Sequence, residues 1–165
     1  MSQTILRDSY LEQIKTLYNG EAWLGENFTK KIEDVTSEEA FESAVPGLRS
    51  IAEYLFHIIA WRRSVVYRLE RSEYKIEIDS EKDWANPETL KNEGWEKLLN
   101  DLEEIQERAI KALENIDDEF LNSAFGEHGY KYSFLVEGMI HHDVYHLGQI
   151  GTIKKLLRMD SARVK

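Results

Sequence analysis

Apolar residues in this chain recur every three or four positions over long, nearly uninterrupted stretches, and that periodicity admits little except long helices. Only two prolines, Pro46 and Pro87, occur among 165 residues, so the backbone has few places to break. Four long helices can be laid out. The first spans about Thr4 to Asn19, with Leu6, Tyr10, Ile14 and Leu17 on one stripe. An irregular stretch with Trp23 and Phe28 follows. Thr36-Ser37-Glu38-Glu39 then has capping-box form and suggests a short helical turn, and Pro46-Gly47 closes the connection.

Ser50 and Glu53 form a second capping box, so the second long helix should run from about Leu48 to Arg71 on an apolar face that includes Ile51, Leu55, Ile58 and Val65. Ser72 to Ala85 is charged and reads as a loop. Within it Tyr74 to Ile78 alternates like a strand, but is too short and isolated for a stable sheet. Asn86-Pro87 is a cap followed by a first-turn proline, opening a third helix that carries Trp95, Leu98, Leu102, Ile105, Ala109, Leu113 and Ile116. Asp117-Asp118 and Gly126-Glu127-His128-Gly129 separate it from a fourth, about Tyr132 to Arg158. The expected class is all-α, a four-helix bundle forming one domain over residues 1–165.

A net charge of −10 weighs against a nucleic-acid partner, because phosphate backbones attract basic surfaces. Lys154, Lys155, Arg158, Arg163 and Lys165 gather near the C-terminus, where cations complement a helix dipole. No apolar run approaches the roughly 20 residues that cross a bilayer, so no membrane partner is expected. The first residues lack the basic start and apolar core of a signal peptide, and there is no cysteine; both fit a cytoplasmic protein.

Chemistry concentrates in the fourth helix. Three of five histidines fall in His141-His142-Asp143-Val144-Tyr145-His146, and His142 and His146 are spaced i, i+4, a turn apart on one face. At 100° per residue Leu135, Met139, His142, His146, Gln149 and Ile153 share a narrow stripe, while Ile140, Val144, Leu147 and Gly151 form a second, nearly opposite one. A surface helix needs one apolar face. Two place this helix between other helices or against another subunit, and the paired imidazoles then point inward, where a metal would satisfy their nitrogens.

A firmly held ion wants a third ligand, and His57 of the second helix is the strongest candidate, on a face with Ser50, Glu53, Tyr54, Trp61 and Ser64. His141 projects off the stripe and His128 lies in a Gly-flanked loop, both solvated or outside the ligand set. Asp143 stands where a zincin motif requires glutamate, and it points off the stripe, which removes a metalloprotease reading.

These residues resemble the DinB-like superfamily of DNA-damage-inducible and thiol-dependent transferase proteins. Ser50-Ile51-Ala52-Glu53-Tyr54-Leu55-Phe56-His57-Ile58-Ile59-Ala60-Trp61-Arg62 is similar to its second-helix signature, and His142-Asp143-Val144-Tyr145-His146-Leu147-Gly148-Gln149-Ile150 to its H-D-x-Y-H-x-G-Q-I pattern. Asp83-Trp84 is similar to a further family element. The resemblance implies an up-down-down-up four-helix bundle, a divalent metal held by His57, His142 and His146, and a homodimer. Some members of that family use low-molecular-weight thiols such as bacillithiol or mycothiol.

The leading expectation is therefore a metal-dependent thiol S-transferase-type enzyme, whose ion favours the thiolate that attacks a small electrophilic substrate. Tyr54, Trp61 and Gln149 are the candidate pocket lining, and Glu53 is weighed as a base, with a capping role favoured. The alternatives are a metal-dependent hydrolase at the same site and a non-catalytic dimeric stress-related bundle. Zinc or nickel leads as the ion, with iron, manganese or copper behind.

Overall fold

The computed structural model describes residues 4–72, 74–126 and 129–159 in full, and 160–163 by their backbone. In chain order the elements are α1 (Ile5–Asn19), α2 (Phe28–Ile32), α3 (Ser37–Phe41), α4 (Ile51–Leu69), α5 (Pro87–Glu93), α6 (Trp95–Glu114), α7 (Asp118–Asn122), a minimal antiparallel hairpin of β1 (Ala124–Phe125) and β2 (Tyr130–Lys131), and α8 (Tyr132–Arg163). The four long helices form the expected bundle. α6 packs on both α1 and α4, and α8 closes the opposite side against the same two helices.

Residue pairings fix the directions. Arg63 meets Asp101 and Glu70 meets Arg108, so α4 and α6 run parallel. Arg7 reaches the Ile116 carbonyl while Gln106 reaches that of Ile14, so α1 opposes α6. Tyr54 packs on His146 and Trp61 on His142, so α8 opposes α4. The order is up-down-down-up.

Local chemistry explains the helix starts. The Ser50 hydroxyl accepts the Glu53 amide while the Glu53 carboxylate accepts the Ser50 amide, so Glu53 serves as a cap at α4. Thr36 and Glu39 repeat this box at α3. Asn86 caps α5, with Pro87 in its first turn. The third long helix, however, does not run unbroken from Asn86. Gly94 donates its N–H to the Leu90 carbonyl at φ +92°, ending α5, and the chain restarts as α6. A residue without Cβ adopts that positive φ readily, and the angle breaks the helix. Sequence periodicity also passed over α2, which Asn27 caps, and α7, which Asp117 caps. His128 lies outside the described residues.

Both stripes of α8 are buried: Met139, His146 and Ile153 on one, Ile140 and Leu147 on the other. The helices α1, α2, α4 and α7 of the same chain contact α8, so the second stripe needs no second subunit. The helix continues to Arg163, which removes Lys154 and Arg158 from its last turn. They pair with acids instead: Lys154 with Asp34, and Arg158 with Asp34 at 2.7 Å and Glu39 at 3.0 Å. No described helix is long and apolar enough to cross a membrane.

One polar layer crosses the bundle. The Arg62 guanidinium, 1% exposed, donates from Nε to Asp143 Oδ2 at 3.0 Å and from Nη1 to Gln106 Oε1 at 2.7 Å, and Gln106 Nε2 donates to the Ile14 carbonyl at 3.1 Å. All four long helices are tied at this level. Burial pushes the Asp143 carboxyl up, and the Arg62 guanidinium pulls it down. Asp143, one residue past His142, thereby fixes the rotation of α8 about its axis.

Candidate metal centre

The site stands on two antiparallel helices. His57 projects from α4; His142 and His146 project from successive turns of α8. One nitrogen from each gathers within 4.8 Å of the others. Metal–nitrogen lengths of about 2.0–2.1 Å place ligand nitrogens about 3 Å apart, a small side-chain adjustment away. His57 and His142 already face each other through their Nε2 atoms at 3.0 Å.

All three imidazoles are held neutral. Burial is the chief cause at each, lowering His57 and His146 and taking His142 to about 3, where the neighbouring His146 and His57 add to the effect. A neutral imidazole is the form that donates a lone pair to a cation.

The outer nitrogens are spoken for at two of the three. His57 Nδ1 donates to Asp83, whose carboxylate Oδ1 lies at 2.8 Å and backbone carbonyl at 3.1 Å. His146 Nδ1 donates to Gln149 Oε1. Such partners select the tautomer whose Nε2 lone pair faces inward. The Nδ1 of His142 is buried without a partner among the described residues. Three neutral imidazoles, two of them aimed from behind, with one nitrogen of each gathered at one place, fit a divalent ion.

Asp83 is itself held. It is 2% exposed, accepts the Trp61 indole N–H at 2.8 Å through Oδ1, and accepts the Asp79 amide at 2.9 Å through Oδ2. The adjacent Trp84 stacks on the His57 ring. The loop between α4 and α5 therefore carries the support for a histidine on α4.

In front of the imidazoles lies a pocket of about 510 Å³, with Trp61, Val65, Leu135 and Met139 in its walls and Ile78, Phe134 and Tyr145 around it. The expected lining residues separate here. Trp61 lines the pocket. Tyr54 packs against Trp84 and His146 away from it, with ring centroids 5.5 Å from each, and Gln149 sits behind His146. His141 is exposed.

Periodicity could not assign a role to Asp83, because it lies in an irregular segment where no helical face can be counted. The only sequence signal was its place beside Trp84 in the family-like pair. The Arg62–Asp143 pair also escaped, since both residues fell off the apolar stripes and such residues ordinarily face water.

Fold and site together define a helical-bundle protein with a buried three-histidine cluster opening into an apolar pocket. The chain belongs to the DinB superfamily, whose model matches residues 22–150. That membership and the cluster are compatible with metal binding. Among solved structures it is similar to a conserved protein from Enterococcus faecalis, at TM-score 0.63 and 15% identity over 92% of each chain. It is also similar to the colibactin self-resistance protein ClbS in complex with a dsDNA, at TM-score 0.56 and 15% identity over 91% of this chain and 92% of that one. No curated protein matches the chain.

The second neighbour corrects one expectation. A net charge of −10 weighs toward no nucleic-acid partner, yet a protein of this fold is solved with duplex DNA. Net charge sums the whole surface, whereas duplex contacts are made by a local part of it. The expectation does not hold.

Proposed function

We propose that the protein is a divalent-metal-dependent enzyme of the thiol S-transferase type, with His57, His142 and His146 as the ligands. The observation that carries the reading is the outward anchoring of His57 by Asp83 and of His146 by Gln149, which aims both imidazoles at one point on the floor of an apolar pocket. A divalent ion held there supplies Lewis acidity, stabilising the anionic form of a bound thiol.

The chain's own residues do the rest. Asp83 and Gln149 fix the tautomers, and Trp84 fixes the plane of His57. Val65, Leu135 and Met139 exclude water from one side of the electrophile. In the transfer a sulfur–carbon bond forms and the bond from carbon to the leaving group breaks. The leaving group departs with the electron pair, and the thiol proton passes to water at the open mouth.

The test offers bacillithiol with a chlorinated electrophile and, separately, a panel of esters and amides. Thiol consumption that requires metal and is lost in His57→Ala supports the reading. Consumption that survives His57→Ala, or ester hydrolysis without thiol consumption, overturns it.

A further inference from the structure

Gln149 joins the His146 imidazole to a phenol. His146 Nδ1 donates to Gln149 Oε1, and Gln149 Nε2 donates to the Tyr145 hydroxyl at 3.4 Å. The direction of this chain is fixed at its inner end. A ligand role for His146 Nε2 keeps the ring proton on Nδ1, which turns the Gln149 carbonyl toward the imidazole and its amide N–H toward Tyr145. The phenol oxygen therefore accepts, and its own hydrogen is left to be given elsewhere. Tyr145 makes no other hydrogen bond among the described residues.

Tyr145 stands where that hydrogen can be used. It shares a face of α8 with His142 and His146, its ring centroid lies 4.8 Å from that of His146, and it lines the histidine pocket while remaining 64% exposed. Other polar hydrogens of the lining are already committed: the Trp61 indole gives its N–H to Asp83, and the outer nitrogen of His57 donates there too. The walls near the phenol are apolar, with Val65, Leu135 and Met139 among them.

We propose that Tyr145 is the catalytic residue that binds the substrate's oxygen and gives it a proton, so that the electrophile is an epoxide with an apolar substituent. The inference rests on the transferase reading, which puts the sulfur at the histidine floor. In a displacement the bond that breaks lies opposite the one that forms, so the departing atom points from the floor toward the mouth, where Tyr145 stands. Chloride leaves as a stable anion and needs no proton. An alkoxide needs one, and a hydrogen bond to a developing oxyanion is of the strong, charge-assisted kind. The thiol sulfur bonds to a ring carbon, the carbon–oxygen bond opens with its electron pair on oxygen, and the Tyr145 proton passes to that oxygen. The product is a hydroxy-thioether, and Tyr145 regains from water at the mouth the proton that the thiol released.

The test compares Tyr145→Phe with the unaltered chain; the position is more than half exposed, so the variant keeps the fold. With bacillithiol, Tyr145→Phe should lower kcat/KM for styrene oxide about 100-fold more than for benzyl chloride, the low end of a general acid's usual contribution. A second readout needs no turnover. The infrared carbonyl stretch of acetophenone bound to the protein as purified, without thiol, should lie lower in the unaltered chain than in Tyr145→Phe. Equal losses for both electrophiles, or equal carbonyl frequencies in the two proteins, overturn the inference and leave the transferase reading standing. No thiol consumption with either electrophile overturns the transferase reading and the proton transfer with it, whereas a carbonyl shift that Tyr145→Phe abolishes still upholds the phenol as the pocket's oxygen-binding donor.

Discussion

The Trp84 indole lies face to face on the His57 imidazole, ring centroids 3.8 Å apart and planes 8° from parallel. The stack restrains the ring in the one rotation that its hydrogen bond to Asp83 leaves free. Trp84→Ala should destabilise the protein by about 2 kcal/mol, below the range for a fully buried tryptophan because the side chain is only partly buried. Urea unfolding gives that number. Metal affinity, read by chelator competition, should fall less than in the next variant, because the Asp83 contact survives.

Asp83→Ala removes the carboxylate that accepts from His57 Nδ1–H and from the Trp61 indole N–H, leaving His57 only the backbone carbonyl of residue 83. Loss of such a partner behind a ligand costs about 10–100-fold in metal affinity. Chelator competition on folded protein should show a loss in that range, with the helical circular dichroism retained. An unchanged affinity would remove Asp83 from the centre.

Metal itself should stabilise the fold. An ion that binds the native chain alone adds about 2.7 kcal/mol at a hundredfold excess over its Kd. Zinc or nickel should therefore raise the melting midpoint of tag-free protein, and His146→Ala should abolish the rise. Elemental analysis of the two purified proteins should differ in the same direction.

Acid should weaken the metal-free protein in a defined window. The ordinary histidine pKa is near 6.5, and burial, with His146 and His57, takes His142 down to about 3 in the folded chain. Between those values the unfolded chain binds a proton that the folded chain does not, so stability is full above pH 6.5 and falls as pH drops toward 3. His142→Leu should flatten urea midpoints between pH 6.5 and 4 relative to the unaltered chain. Parallel profiles would contradict the buried, neutral state of this ring.

The Arg62–Asp143 pair should respond asymmetrically. Removing one partner leaves a buried charge alone, so Arg62→Ala or Asp143→Ala should cost about 3–5 kcal/mol. Arg62→Met combined with Asp143→Leu should cost less than either single change. The double variant also tests whether the layer positions α8: its metal affinity should drop while its stability recovers.

What was legible in the sequence was what repeats. Helical periodicity located all four long helices, and i, i+4 spacing brought His142 and His146 to one face. The capping box at Thr36 marks the start of α3, and the one at Ser50 starts α4 at Ile51, three residues later than the expected Leu48. The break at Gly94 was not legible, because apolar residues keep their spacing on both sides of it and one glycine is tolerated in many helices. The supports of the site were harder still. Asp83 reaches His57 across 26 positions, and Arg62 reaches Asp143 across 81, through contacts that only the packed bundle creates.

The three histidines stand on bundle helices, whereas Asp83 and Trp84 hang on the connection between α4 and α5, together with Ile78 at the pocket's edge. The hydrogen-bonded and stacked partners of the His57 ring and one side of the pocket's edge thus arrive on one strap, anchored at Leu69 and Pro87. A graft of that strap alone, taken from another bundle of this shape, would retune reactivity and taste in a single cassette while leaving the load of folding to the helices beneath.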